Sequence, residues 1–167
     1  MALVVVAAAA LASAVPASTA DTATYRIDHV TDGDTVVLRN GARVRLVQID
    51  TPEVYFGTEC FGRQASATTK RLLPVGTRVR LRAEPATDAI DDFGRLLLYV
   101  IRLDGLNVNL RIVALGAGAP WFYEGRRGRY ANRLDALAKT ARAKRLGLWK
   151  ACPRTRYDPY NAIETRR

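Results

Sequence analysis

Short runs rich in Val, Thr, Leu and Tyr alternate with turn-forming pairs through the first two-thirds of the chain, a pattern that predicts half-buried strands. Tyr25 to Thr31 is the first run, and Asp32-Gly33 reads as a tight turn after it. Asp34 to Arg39 is the second, followed by the hairpin signal Asn40-Gly41. Ala42 to Ile49 is the third, ended by Pro52, which cannot donate to a ladder. The period then changes. Phe61, Ala65, Thr69 and Leu72 recur at helical spacing, so a helix is predicted over Phe61 to Leu73, stopped by Pro74. Thr77 to Ala83 alternates as a fourth strand, and Arg95 to Leu103 is the fifth, after a polar loop over Pro85 to Asp92. Asn109 is the expected N-cap of a short helix ending near Gly116. Tyr130 to Leu146 is amphipathic, with Leu134, Leu137, Ala138, Ala141 and Leu146 on the apolar side.

Five short strands with a helix between the third and fourth predict an α+β, mainly β class: a five-stranded OB-fold barrel with about three helices. Such barrels often bind nucleic-acid strands on one face. No repeat or long linker divides the chain, so residues 21–152 read as one domain. Residues 153–167 read as a polar C-terminal tail, expected to be loosely held.

The first 20 residues lack any charged side chain. The apolar, Ala-rich run from Leu3 to Ala14 is too short to span a bilayer comfortably, and small residues follow it. Residues 1–20 therefore read as a signal peptide, cleaved after Ala20 or after Ala14. The alternatives are a disordered apolar tail or an uncleaved anchor. The expectation is a secreted or periplasmic protein with no stable membrane association once the signal is removed. In that setting Cys60 and Cys152, the only cysteines, are disulfide candidates, with two unpaired thiols as the alternative. Two cysteines and the single His29 cannot by themselves make a four-ligand zinc site. The net charge of +10 favours polyanionic partners, nucleic acid or an acidic membrane surface.

Against that positive charge stand two acidic segments, Asp32-Gly33-Asp34-Thr35 and Ile49-Asp50-Thr51-Pro52-Glu53. Phosphodiester hydrolysis needs an in-line water and positive charge on the equatorial phosphate oxygens. Asp34, Asp50 and the carbonyl of Thr51 offer hard oxygen ligands, which select Ca²⁺ or Mg²⁺ over zinc. Glu53 could act directly or through water. Arg45 and Arg95 can each hold a phosphate bidentately at any working pH. Singly, each has an ordinary reading: Asp32-Gly33 as turn chemistry, Asp50 to Glu53 as a strand end, each arginine as an ion-paired surface residue.

Together these residues resemble the staphylococcal-nuclease-like, or thermonuclease, family. The matching segments are Val30-Thr31-Asp32-Gly33-Asp34-Thr35, Val44 to Glu53, Gly62-Arg63-Gln64-Ala65-Ser66, Asp92-Phe93-Gly94-Arg95, Val108-Asn109 and Gly147-Leu148-Trp149. The resemblance covers roughly Thr24 to Trp149 and implies an OB-fold barrel with three helices and calcium-dependent cleavage of DNA and RNA. It implies Asp34, Asp50 and Thr51 as metal ligands, Glu53 as the general base, Arg45 and Arg95 as catalytic arginines, and 3′-phosphorylated products. Asp92 stands where the family has a phosphate-contacting lysine, and Phe93 where it has a tyrosine. The family's nucleotide-pocket tyrosines fall near Trp121-Phe122-Tyr123, so Tyr123 and Phe122 are the expected substrate-binding aromatics. Phosphate affinity is expected to move to Arg126, Arg127 and Arg129, in a loop that could equally be a solvated basic one. The expected partners are DNA and RNA, with single-stranded regions favoured, and the expected state is a monomer. The alternative is a catalytically inactive OB-fold module that only binds nucleic acid.

Overall fold

The computed structural model describes residues 23–55 and 57–166, so the signal-peptide expectation lies outside the described residues. Five strands form a closed barrel: β1 (Tyr25–Val30), β2 (Thr35–Leu38), β3 (Arg43–Leu46), β5 (Arg78–Ala83) and β6 (Leu96–Arg102). Their order is β1-β2-β3-β6-β5, and β5 returns to pair with β1. Four contacts are antiparallel and β3–β6 is parallel, which is the OB-type arrangement. Ile27, Leu38, Val44, Leu46, Val79 and Val100 fill the interior at essentially zero exposure. They alternate with polar neighbours such as Arg43, Arg78 and Arg80, as a half-buried pleat requires.

The third predicted strand is interrupted. β3 stops at Leu46, and Ile49–Asp50 forms a separate short strand, β4, against β7 (Ala119–Pro120). The break falls at Gln48, which takes a left-handed φ of +65°. Its side chain fixes the loop that follows β7: Nε2 donates to the Arg126 carbonyl and Oε1 accepts from the Gly128 N–H, both at 2.7 Å. The bend matters because it turns Asp50 out of the barrel register towards the acidic turn after β1.

Among the described residues four α-helices surround the barrel: α1 (Gly62–Leu72), α2 (Val108–Ala114), α3 (Ala131–Ala143) and a short α4 (Leu148–Ala151) that the periodicity does not announce. The α2 cap is Asn107, not Asn109: the Asn107 side chain accepts from the Leu110 N–H at 3.1 Å. Asn109 is instead fully buried and ties β6 to the residue after β3, accepting from the Val100 N–H at 3.0 Å and donating to the Val47 carbonyl at 2.9 Å. Both asparagines have cap chemistry, and only the tertiary partners separate them. Leu146 lies past the end of α3 and is exposed, while Leu134, Ala138 and Ala141 are buried as the helical period requires.

A disulfide joins Cys60 to Cys152. The loosely held tail is corrected: Ile163 and Thr165 are buried, the main chains of Arg156 and Glu164 pair in an antiparallel β-bridge, and the Thr165 hydroxyl donates to the Cys60 carbonyl at 2.7 Å. Polar composition hides two apolar anchors, Tyr157 and Ile163, which pack on the core clusters. Among the described residues no helix is long and apolar enough to cross a membrane.

Candidate active site

The turn after β1 sets the first carboxylate. Asp32 Oδ1 accepts the N–H groups of Asp34 at 3.0 Å and Thr35 at 2.7 Å, so Asp32 forms the turn rather than facing a ligand. This leaves the Asp34 side chain pointing inward, where its Oδ2 accepts both the N–H and the hydroxyl of Thr51 at 2.9 Å. Two glycines permit that approach. A Cβ on Gly33 would collide with the Thr51 hydroxyl, and one on Gly118 would lie 2.7 Å from the Asp50 carbonyl. Asp34 and Asp50, 16 residues apart in sequence, thereby share one buried site.

Arg45 on β3 bridges them. Its Nη1 lies 3.2 Å from Asp34 Oδ2, its Nη2 donates to Asp50 Oδ1 at 2.7 Å, and Nη1 also reaches the carbonyls of Leu46 (3.1 Å) and Ile49 (2.9 Å). Asp34, Arg45 and Asp50 are only 5%, 7% and 7% exposed. One positive charge therefore faces two negative ones, and the surplus negative charge is buried. Burial, with the nearby Asp50 and Asp32 charges, pushes the Asp34 carboxyl up to about 7 even though Arg45 pulls it down.

Glu53 follows on the same segment and is solvent-exposed. Partial desolvation, then the charges of Asp32 and Asp50, hold its carboxyl above the ordinary range, which suits a proton acceptor better than a strongly acidic carboxylate would. Arg95, immediately before β6, is aimed by Asp91: its Nε donates to Asp91 Oδ2 at 2.7 Å, and Asp91 Oδ1 accepts the N–H groups of Phe93 and Arg95. Its Nη1 reaches the Thr35 hydroxyl at 3.3 Å, which ties it to the acidic turn.

Arg45 and Arg95 line one cavity of about 450 Å³, together with Trp121, Tyr123 and Phe93. That volume suits a nucleotide-sized ligand. Trp121 lies beside Arg45, with the guanidinium carbon 5.7 Å from its ring centre, and Tyr123 meets Trp121 edge-on. Phe122, expected on the substrate surface, is completely buried under Arg127 and Tyr160. Three successive aromatics cannot all face one side, and here Trp121 takes the wall with Tyr123. Arg126 reaches the cavity but is engaged by Asp88 (2.9 Å) and Glu124 (2.7 Å). Arg127 turns away, pairing with Asp135 at 2.7 Å on a different groove. Both arginines are thus ion-paired within the protein.

Sequence reasoning passed over Asp91, Gln48 and Ile163. Asp91 could have been found from its position four residues before Arg95. Ile163 could not, because it acts through its main chain, donating its N–H to Asp50 Oδ2 at 2.9 Å.

Among the described residues no group of three or more His, Cys, Asp or Glu side chains is gathered as a metal cluster. The two aspartates nevertheless present hard oxygen atoms and carry a buried charge that Arg45 only half neutralises. That donor set fits a hard divalent cation and not zinc or copper.

The class is thus an OB-fold domain in which Arg45 joins a buried aspartate pair and shares one cavity with Arg95. Residues 43–151 match the family model described as staphylococcal nuclease homologue. The chain belongs to the staphylococcal nuclease family. It is 32% identical over 132 residues to a thermonuclease of Staphylococcus intermedius, covering 75% of this chain and 76% of that protein. It is 36% identical over 129 residues to an uncharacterized endonuclease of Escherichia coli O157:H7, covering 74% and 75%. Endonuclease YhcR of Bacillus subtilis (strain 168) matches at 33% over 108 residues, which is 58% of this chain but only 9% of that much longer protein.

Proposed function

We propose that this protein is a secreted, sugar-nonspecific endonuclease that hydrolyses phosphodiester bonds in DNA and RNA by Ca²⁺-assisted attack of water. The observation that carries this reading is the convergence of Arg45 and Arg95 on one nucleotide-sized cavity, with Arg45 also bonded to the buried Asp34–Asp50 pair behind its guanidinium. Family membership, and relatives named as nucleases, support it.

The residues divide the work by position. Asp34, Asp50 and the Thr51 carbonyl would hold Ca²⁺, with Mg²⁺ as the alternative, and such a cation supplies charge neutralisation and Lewis-acid polarisation of the phosphate. Glu53 accepts a proton from the attacking water as the water oxygen bonds to phosphorus. The bond from phosphorus to the 5′ oxygen breaks, and that oxygen leaves to take a proton from solvent. Arg95, and Arg45 through the face it shows to the cavity, place fixed positive charge on the equatorial oxygens as they gain charge. Trp121 and Tyr123 offer a stacking wall, which favours unpaired bases. Export is supported by the uncharged apolar leader and by the Cys60–Cys152 disulfide, a bond that persists in oxidising compartments.

Substitution tests the roles. Arg95→Ala and Glu53→Ala should each lower the cleavage rate at least ~10²-fold, the scale for removing one group that acts on the transition state. A silent nucleic-acid-binding module would show no cleavage by the wild-type chain and unchanged binding in both variants.

A further inference from the structure

The geometry points to the C-terminal strap as a positioning device for the acidic pair: we infer that the main-chain N–H of Ile163, through its hydrogen bond to Asp50 Oδ2, fixes the orientation of the Asp50 carboxylate for cation binding.

Asp50 Oδ1 is held by Arg45 at 2.7 Å and Oδ2 by Ile163 N–H at 2.9 Å. With one donor on each oxygen, the carboxylate plane cannot rotate freely. Donors behind a ligating carboxylate hold it in the orientation a cation needs. The Ile163 contact spans 113 residues of sequence and is buried, so it persists only if the strap itself is held.

The strap is held at both ends on one residue. Cys152 at its root is bonded to Cys60, and the Thr165 hydroxyl at its far end donates to the Cys60 carbonyl at 2.7 Å. Between them Tyr157 packs edge-on against Trp149, the Pro159 carbonyl accepts the Phe122 N–H at 2.6 Å, and the main chains of Arg156 and Glu164 pair in a β-bridge. The segment therefore closes into a ring against the barrel, and little conformational freedom is left for Ile163 to lose when it meets Asp50. Strap and disulfide together explain why a polar tail carries a buried isoleucine.

This inference rests on the cation reading proposed above. The test uses the full-length chain and Ca²⁺ alone, measured by calorimetric titration. Ile163→Pro removes the N–H, whereas Ile163→Ala keeps it and trims the side chain. Ile163→Pro should weaken Ca²⁺ binding by about 10-fold or more, the usual effect of losing a partner behind a metal ligand, while Ile163→Ala stays within about 2-fold of wild type. Equal affinity in all three proteins, or an equal loss in both variants, would overturn the inference. A second measurement needs no cation: amide exchange at Ile163 should accelerate about 10-fold or more in Asp50→Ala, where the charged acceptor is gone. Unchanged exchange would overturn the inference even where Ile163→Pro does not fold. Failure of the wild-type chain to bind Ca²⁺ would sink the cation reading instead, and the exchange result would still decide whether Ile163 restrains Asp50.

Discussion

Asp34 should cost the cation-free protein stability, and replacing it with asparagine should return some. The carboxyl is buried, sits near Asp50 and Asp32, and is raised from 3.8 to about 7. The sign follows from linkage. The unfolded chain releases this proton near 3.8 and the folded chain only near 7, so the folded state binds more protons between those values. Stability from this group is therefore intact below about 3.8, falls as pH rises, and levels off above about 7. A shift from 3.8 to about 7 corresponds to at most about 4 kcal/mol at 1.36 kcal/mol per pH unit. Asparagine keeps an oxygen for the Thr51 donors but cannot ionise, and Arg45 retains Asp50. Well below 7 the Asp34 carboxyl is protonated and offers Arg45 no charge, and the value near 7 already includes the pull of Arg45, so the pH dependence is the sharper readout. Urea unfolding in chelator at pH 5 and pH 8 should show the Asp34→Asn advantage growing by about 2.5 kcal/mol between them. An advantage that is the same at both pH values, or that shrinks towards pH 8, would refute the claim that this carboxylate is ionised against its surroundings.

Other expectations follow from the same geometry. Gly33→Ala would press a methyl group into Thr51 and should destabilise by about 1–3 kcal/mol in urea unfolding, as overpacking does; wild-type stability would show that the acidic turn can shift freely. Replacing both cysteines with serine should cost about 4 kcal/mol, because the Cys60–Cys152 bond closes a loop with a sequence separation of 92. A loss below about 1 kcal/mol would mean the unfolded chain is not restrained by the bond. Trp121→Ala should raise KM for a single-stranded oligonucleotide by about 10-fold with a smaller effect on kcat, the scale for losing one base-stacking face; an unchanged KM would remove Trp121 from the substrate surface.

Much of the barrel was legible because its signals are local. Asp32-Gly33 and Asn40-Gly41 mark hairpin turns by their own chemistry, and four of the five barrel strands sit within a residue or two of the positions their composition predicts, the third ending three residues early. The break at Gln48 was not legible, since Val47 and Ile49 continue the apolar run and nothing forces a positive φ on glutamine. Side-chain roles split in the same way. Asp34, Asp50 and Arg45 can be picked out by residue type at strand ends, and the structure brings them within one hydrogen-bonded cluster. Phe122 and Asn109 could not be placed, because which of several neighbouring aromatics or asparagines is buried depends on partners far away in sequence. Ile163 acts through a main-chain N–H, which leaves no mark on residue type.

The central claim is that the Asp34–Asp50 pair and the two arginines form a cation-dependent phosphodiester-cleaving site. Its most direct test is cleavage of plasmid DNA and of RNA by the purified protein in Ca²⁺, in Mg²⁺ and in excess chelator. The account predicts cleavage of both polymers with Ca²⁺, loss of cleavage in chelator, and recovery when Ca²⁺ is restored. Absence of cleavage at every calcium concentration, or equal cleavage in chelator, would contradict it.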